Sequence, residues 1–281
     1  MKKPIDKKRI IKKLLTSQPI DIPVFHEVAL RLQQMINDHS YRIEEAIKLV
    51  NEDTALASVM LRHANSTYNS GKAPITTIKN AIVRLGSQQI VNLAFTASMA
   101  NSKSENPLIN KHFKNLWYHS HAVAISSAWL ALQISHDKNI LDINADEVYL
   151  AGLFHEIGKL YLLKSMDRLI MSGIFQADDI LIDEMLNELT VPQGVRIMQH
   201  WNIPEIYSNS VERLITDNWK CGINDCLVAA VRSSCKIHHY IERGIEEAEI
   251  SELFHMVKEE LSLLNINDVS RVYNFVKAIS G

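Results

Sequence analysis

Apolar side chains recur along most of this chain three and four positions apart, the interval that lines one face of an α-helix. No useful length of sequence alternates apolar with polar as a half-buried strand does. Val24, Val28, Leu32, Met35 and Ile36 form the first clear stripe, with Pro23 suited to the opening turn. Ile43, Ile47 and Val50 mark a short helix. Asp53 is placed to cap the next, which carries Leu56, Val59, Met60 and Ala64 and stops near Asn65 and Ser66. After a loop with Asn69, Gly71 and Pro74, Thr76 or Thr77 restarts a helix bearing Ile78, Ile82 and Leu85. Gly86 closes that helix, and Ser87 caps another through Ile90, Leu93 and Ala97. Residues 101–107 are the best linker candidate. Beyond them the pattern predicts a long helix over about 108–135, an Asp/Asn-rich loop over 136–144 and a second long helix over 145–164. Shorter helices follow near 179–190, 192–202, 204–216, 223–243, 246–264 and 267–279. The fold class read from the pattern is all-α.

Composition supports this. Gly (9) and Pro (7) stand at about half their ordinary usage, too few turn-formers for a sandwich, barrel or propeller. A length of 281 residues with 47% hydrophobic positions fits one or two domains with a sizeable core, not a disordered chain. The formal net charge is −2, but the first 13 residues hold seven basic side chains against Asp6 alone. The body is therefore acidic, which argues against broad nucleic-acid binding. The basic start reads either as an amphipathic helix touching a membrane or nucleic acid, or as a helix packing Ile10, Ile11, Leu14 and Leu15 while its lysines stay solvated. No apolar run is long enough for a transmembrane helix. Three cysteines without a secretory signal indicate free thiols in a reducing, cytoplasmic setting.

Candidate chemistry concentrates in Ala151–Leu160, where His155 and Glu156 interrupt an otherwise apolar helix. Burying such a pair is costly unless a metal, a hydrogen-bond network or solvent satisfies it. Gly152 and Gly158 flank the pair, as expected where another backbone or a ligand comes close. His119, in Trp117–His121, lies 36 residues upstream, and two antiparallel helices would bring it opposite His155 and Glu156. Cys221, Cys226, Cys235 and His238 contain the elements of a zinc site, although a long helix is expected to hold the last two. His238 and His239, about 100° apart on that helix, read as one half-buried and one exposed histidine. Asn65 and Ser66 are explained by capping and turn bonds.

Several segments carry a resemblance. Residues 151–160 are similar to the "GLLHDIGK" segment of the HD superfamily, metal-dependent phosphohydrolases named for a His-Asp pair. Asp53–Ser66, Ile78–Gly86, Trp117–Ser120 and Trp201–Pro204, in that order, resemble the HDOD domain, the HD-related output domain of bacterial signalling proteins. The resemblance runs from about 17 to 215. It implies a basic N-terminal helix over 1–16 and an HDOD domain over 17–215, with an N-terminal lobe (17–105) and an HD-like lobe (106–215). Residues 216–281 would be C-terminal helices completing that lobe, or a dimerisation element. By the same resemblance His119 and His155 match metal ligands, and Glu156 stands where the Asp should be. A later Asp, expected on the helix containing Val231–His239, is missing; Pro192 and Asp217-Asn218 stand where further histidines fall in two-metal phosphodiesterases. Two readings follow. One is a regulatory signalling module with a degenerate HD site, acting through a protein partner or small ligand, His119, His155 and Glu156 forming a polar cluster. The other is a phosphohydrolase acting on a nucleotide or other phosphate ester. There the three residues would hold Mg, Mn, Fe or Ni and Lys159 would steady the phosphate.

Overall fold

The computed structural model describes residues 7–17, 25–39, 42–66, 74–134, 143–214, 225–244 and 250–280, and among them every regular element is helical. In chain order these are α1 (Lys7–Ser17), α2 (Glu27–Asn37), α3 (Ile43–Glu52), α4 (Thr54–Ala64), α5 (Ile78–Leu85), α6 (Ser87–Ala100) and α7 (Pro107–Ile134). There follow α8 (Ala145–Phe154), α9 (Ile157–Met171), α10 (Asp179–His200), α11 (Glu205–Leu214), α12 (Cys226–Glu242), α13 (Ile250–Leu263) and α14 (Val269–Ser280). The all-α expectation holds. Pro23, the 136–142 part of the expected loop, Asp217, Asn218 and Cys221 lie outside the described residues. No described helix is long and apolar enough to cross a membrane.

The chain divides into two compact units: Phe25–Ser102 with Trp201–Pro204, and Met1–Val24 with Lys103–His200 and Glu205–Gly281. In the first, α2–α6 bury Leu32, Val50, Met60, Ile82, Ile90 and Phe95. Phe25 packs edge-on against Phe95, with ring centroids 4.6 Å apart, and lies 5.9 Å from Trp201. Asp53 caps α4 by accepting the Leu56 amide at 3.0 Å. Thr77, rather than Thr76, caps α5 through the Asn80 amide. Gly86 at φ +82° both ends α5 and starts α6, so Ser87 is the first helical residue and not the cap. The Asn65 side chain donates to the Leu61 and Ile75 carbonyls and accepts the Ile75 amide, which is the turn-bonding role expected of it.

The second unit is built around α7. Asn106 caps it by accepting the Leu108 and Ile109 amides, and Pro107 takes the first helical position, where its missing N–H costs nothing. At 28 residues α7 runs about 42 Å and packs against α8, α9, α12 and α14. A Cβ on Gly152 would sit 2.7 Å from the Ala124 Cα, so α8 meets α7 backbone to backbone. A Cβ on Gly158 would sit 1.8 Å from the Thr190 carbonyl oxygen, which fixes α9 on α10 in the same way. Both glycines are therefore explained by a neighbouring backbone.

Two expected boundaries differ. The helix predicted over 145–164 breaks at His155 and Glu156, the latter at φ −117°, ψ 25°. In a continuous helix the Gly152 carbonyl would accept the amide of residue 156; here it accepts His155 Nδ1–H at 2.6 Å. Conversely, α10 runs unbroken from Asp179 to His200 through Pro192, where two helices were expected. Proline removes one backbone hydrogen bond there, and apolar contacts of Leu186, Leu189, Ile197 and Met198 on both sides of it keep the helix whole. The basic start packs Ile11 and Leu15 inward, while Ile10 is exposed and Leu14 only half-buried. Lys8 and Lys12 form ion pairs with Glu184 and Glu188 of α10.

Candidate metal centre

His119 is buried midway along α7, and His155 is buried at the α8–α9 junction. The packing of Gly152 on Ala124 holds these two elements close enough for His119 Nε2 and His155 Nε2 to lie 3.1 Å apart. Because His155 Nδ1–H donates to the Gly152 carbonyl, Nε2 is the ring nitrogen that points into the cluster. Glu156 Oε2 lies 4.0 Å from His119 Nε2, and Glu156 Oε1 is paired with Lys159 Nζ at 2.5 Å, one turn along α9. All four residues singled out from the sequence thus meet in one place.

The sequence reading missed the contribution of α12. Cys235, His238, His239 and Glu242 occupy the i, i+3, i+4 and i+7 positions of one helical face, and that face is turned to His119. Cys235 Sγ lies 3.9 Å from His119 Nε2, 3.7 Å from His155 Nε2 and 3.6 Å from His239 Nδ1. His238 Nδ1 is 2.9 Å from His119 Nδ1, and Glu242 Oε1 lies 3.5 Å from His238 Nδ1 and 3.7 Å from His119 Nδ1. His239, although exposed at its edge, stacks on the His119 ring at 4.6 Å and 21°. The signal was present as Cys-x2-His-His-x2-Glu, but only the helix's rotation shows that these side chains share one target. Cys226 is elsewhere: its thiol is raised by burial and by Asp225.

The electrostatics of the cluster suit a cation. Burial opposes ionisation of Glu156, yet the charges of Lys159, His155 and His119 hold its carboxyl down to about 2. Burial likewise opposes a charged His119, but hydrogen bonds to Cys235 and Glu242 and the Glu156 charge push it up to about 10. The Cys235 thiol, despite burial, is held well below its usual range by His155 and by hydrogen bonds to His119, His155 and His239. Glu242 is held below the carboxylate range by hydrogen bonds from His119 and His238. A nitrogen–nitrogen contact of 3.1 Å accommodates one proton, or a metal ion between the two atoms in its place. The donor set, two imidazoles whose nitrogens converge beside a thiolate and a carboxylate, fits a divalent metal. Two cavities adjoin the cluster. One of about 350 Å³ is lined by His119, Glu156, Lys159, His239 and Glu242. The other, of about 390 Å³, is lined by His155, Cys235, Lys159, Arg232 and Lys236.

Known proteins resemble this chain in sequence or in fold. An uncharacterised protein of Treponema pallidum is 22% identical over 197 residues, which is 68% of this chain and 37% of that protein; the chain thus spans just over a third of its length. The crystal structure of a candidate metal-dependent phosphohydrolase from Shewanella amazonensis superposes with a TM-score of 0.68 at 21% identity, covering 98% of both chains. A candidate signal transduction protein from Marinobacter aquaeolei superposes with a TM-score of 0.55 at 18% identity, covering 98% of this chain and 64% of that one. The family model of the HDOD domain matches residues 22–214, more than two thirds of the sequence. With its ordered motifs and helical architecture, this chain belongs to the HDOD family.

Proposed function

We propose that the chain is a regulatory module of bacterial signal transduction, acting by binding a protein partner or a small ligand, and that its HD-type pocket does not hydrolyse phosphate esters. The observation that carries this reading is the Cys235 sulfur, 3.7 Å from His155 Nε2 and 3.9 Å from His119 Nε2. Glu156 stands where the HD motif has its metal-binding Asp, one methylene longer, with Oε1 paired to Lys159 and Oε2 4.0 Å from His119 Nε2. On α12 that thiol stands beside both Nε2 atoms in place of an aspartate, and the Glu242 carboxylate meets His119 at Nδ1 instead, 3.7 Å away. A metal that activates water for phosphoryl chemistry needs an open position and ligands that leave it electrophilic. Crowding by His119, His155, Cys235 and His239 works against both. The candidate signal transduction protein of M. aquaeolei, similar in fold, supports this reading, and the candidate phosphohydrolase of S. amazonensis supports the alternative.

A hydrolytic reading is favoured by one observation: the cavity beside Cys235 is lined by Lys159, Arg232 and Lys236, a basic wall suited to phosphate. Arg232 and Lys236 are, however, both engaged by Glu260 of α13, at 2.8 and 2.7 Å. Phosphate release from nucleoside mono-, di- and triphosphates and cyclic dinucleotides, measured with Mn²⁺, Mg²⁺ or Co²⁺, separates the two. The expected rate is that of the His155→Ala variant. Metal-dependent release that this variant loses would establish the hydrolase.

A further inference from the structure

We propose that α12 converts the HD-type pocket into a sulfur-containing site for a single thiophilic divalent cation of the zinc class, with His119, His155 and Cys235 as ligands and the His239 ring packed over them. This deepens the non-hydrolytic reading above, because it names what the crowded pocket takes in place of the hard ions of phosphoryl transfer.

Geometry carries the proposal. Around a tetrahedral ion with metal–nitrogen bonds of about 2.0–2.1 Å and metal–sulfur bonds of about 2.3 Å, donor atoms stand roughly 3.3 Å (N to N) and 3.6 Å (N to S) apart. The observed separations are 3.1 Å for His119 Nε2 to His155 Nε2, and 3.7 and 3.9 Å from these atoms to Cys235 Sγ. His239 Nδ1 is 3.6 Å from the same sulfur, and its ring stacks on His119 at 4.6 Å, which covers the site without turning a lone pair to the shared ion.

The surroundings of the ligands agree. His155 is oriented by the Gly152 carbonyl through Nδ1. His119 Nδ1 faces away from the sulfur, towards His238 and Glu242, which fixes its ring with Nε2 inward. Carbonyl and carboxylate partners of this kind are what metal-bound histidines ordinarily have behind them. Glu156 is left out of the ligand set, since Oε1 is bonded to Lys159 and Oε2 stands 4.0 Å from His119 Nε2, wider than two donors on one ion. Softness then selects the ion: a thiolate with imidazoles suits zinc or cobalt(II), whereas magnesium and calcium demand oxygen donors.

Cobalt(II) titration of the metal-free full chain, followed by absorption, tests this. One equivalent should bind with a near-ultraviolet thiolate-to-cobalt charge-transfer band and intense tetrahedral visible bands. Zinc should displace it, and a hundredfold excess of magnesium should not. Cys235→Ser should abolish the charge-transfer band and weaken binding at least tenfold, His155→Ala should weaken binding as much, and His239→Ala should retain the band. Glu156→Gln and a Cys221→Ser/Cys226→Ser double variant should keep the full spectrum, with circular dichroism checking that every variant is folded. The proposal fails if no cobalt binds, if the band survives in folded Cys235→Ser, if it vanishes in the double variant, or if Glu156→Gln abolishes binding. Phosphate release is scored separately: hydrolysis with the sulfur band present overturns the non-hydrolytic reading alone, and inactivity without the band overturns the ligand assignment alone.

Discussion

At the scale of single residues, Gly158 shows how the site is held without touching a ligand. Any side chain there meets the Thr190 carbonyl at 1.8 Å, so the carboxylate and ammonium that flank it are placed by the absence of a Cβ. Gly158→Ala should therefore force α9 away from α10 and cost about 3 kcal/mol or more, the upper range for overpacking in a filled interior. A fall in the urea midpoint, or loss of soluble protein, checks it; an unchanged midpoint would show that the two helices slide apart freely. This residue's role was half legible. A pair of glycines around His155 and Glu156 announced a close approach, and His119 could be paired with them by spacing. Cys235, His238, His239 and Glu242 were not legible as partners, because periodicity gives which residues share a face but not where that face points.

At the scale of elements, caps were read well and breaks poorly. Asp53 at the start of α4 was recognisable from its type and position, and its carboxylate accepts the Leu56 amide as expected. Although burial opposes it, that bond and the neighbouring His26 hold the Asp53 carboxyl below the usual range. With the folded value depressed, its contribution is complete above the unfolded pKa of about 3.9 and is lost as pH falls through the folded value. Asp53→Ala should cost about 1 kcal/mol near neutral pH, with the difference from the parent chain shrinking in acid. Denaturant melts at pH 7 and pH 3 measure both; a difference that grows in acid would contradict the capping role. The break between α8 and α9 escaped notice because it depends on a side chain, His155, taking a carbonyl that helical periodicity assigns to the backbone. The continuity of α10 through Pro192 escaped for the opposite reason, since packing on both sides outweighed a local breaker.

At the scale of the whole molecule, the scarcity of glycine and proline correctly announced helices throughout, and the order of motifs announced the family. That Trp201–Pro204 packs with residues 25–102 could not be seen locally, because it rests on a contact between Phe25 and Trp201 far apart in sequence. The basic N-terminus also resolves at this scale. Lys8 and Lys12 meet acidic residues of α10, while Ile11 and Leu15 supply the buried face. Leu15→Ala should cost about 2–5 kcal/mol as a buried leucine truncation, and Lys12→Ala should barely move the thermal midpoint, because ion pairs open to solvent contribute little. Equal effects of the two variants would mean that charge, not apolar burial, docks the helix.

The distances along the chain between the clustered side chains have a further meaning. His119 and Cys235 touch across 116 positions, His155 and Cys235 across 80, and His119 and His155 across 36. An ion seated among them would act as a reversible cross-link, closing loops whose entropy the unfolded chain otherwise keeps. For a covalent tie, a loop of that length corresponds to about 4–5 kcal/mol. A sizeable share of the roughly 5–15 kcal/mol that keeps a domain folded would then ride on whether the ion is there, and the supply of one trace element would bear on how long the folded protein persists.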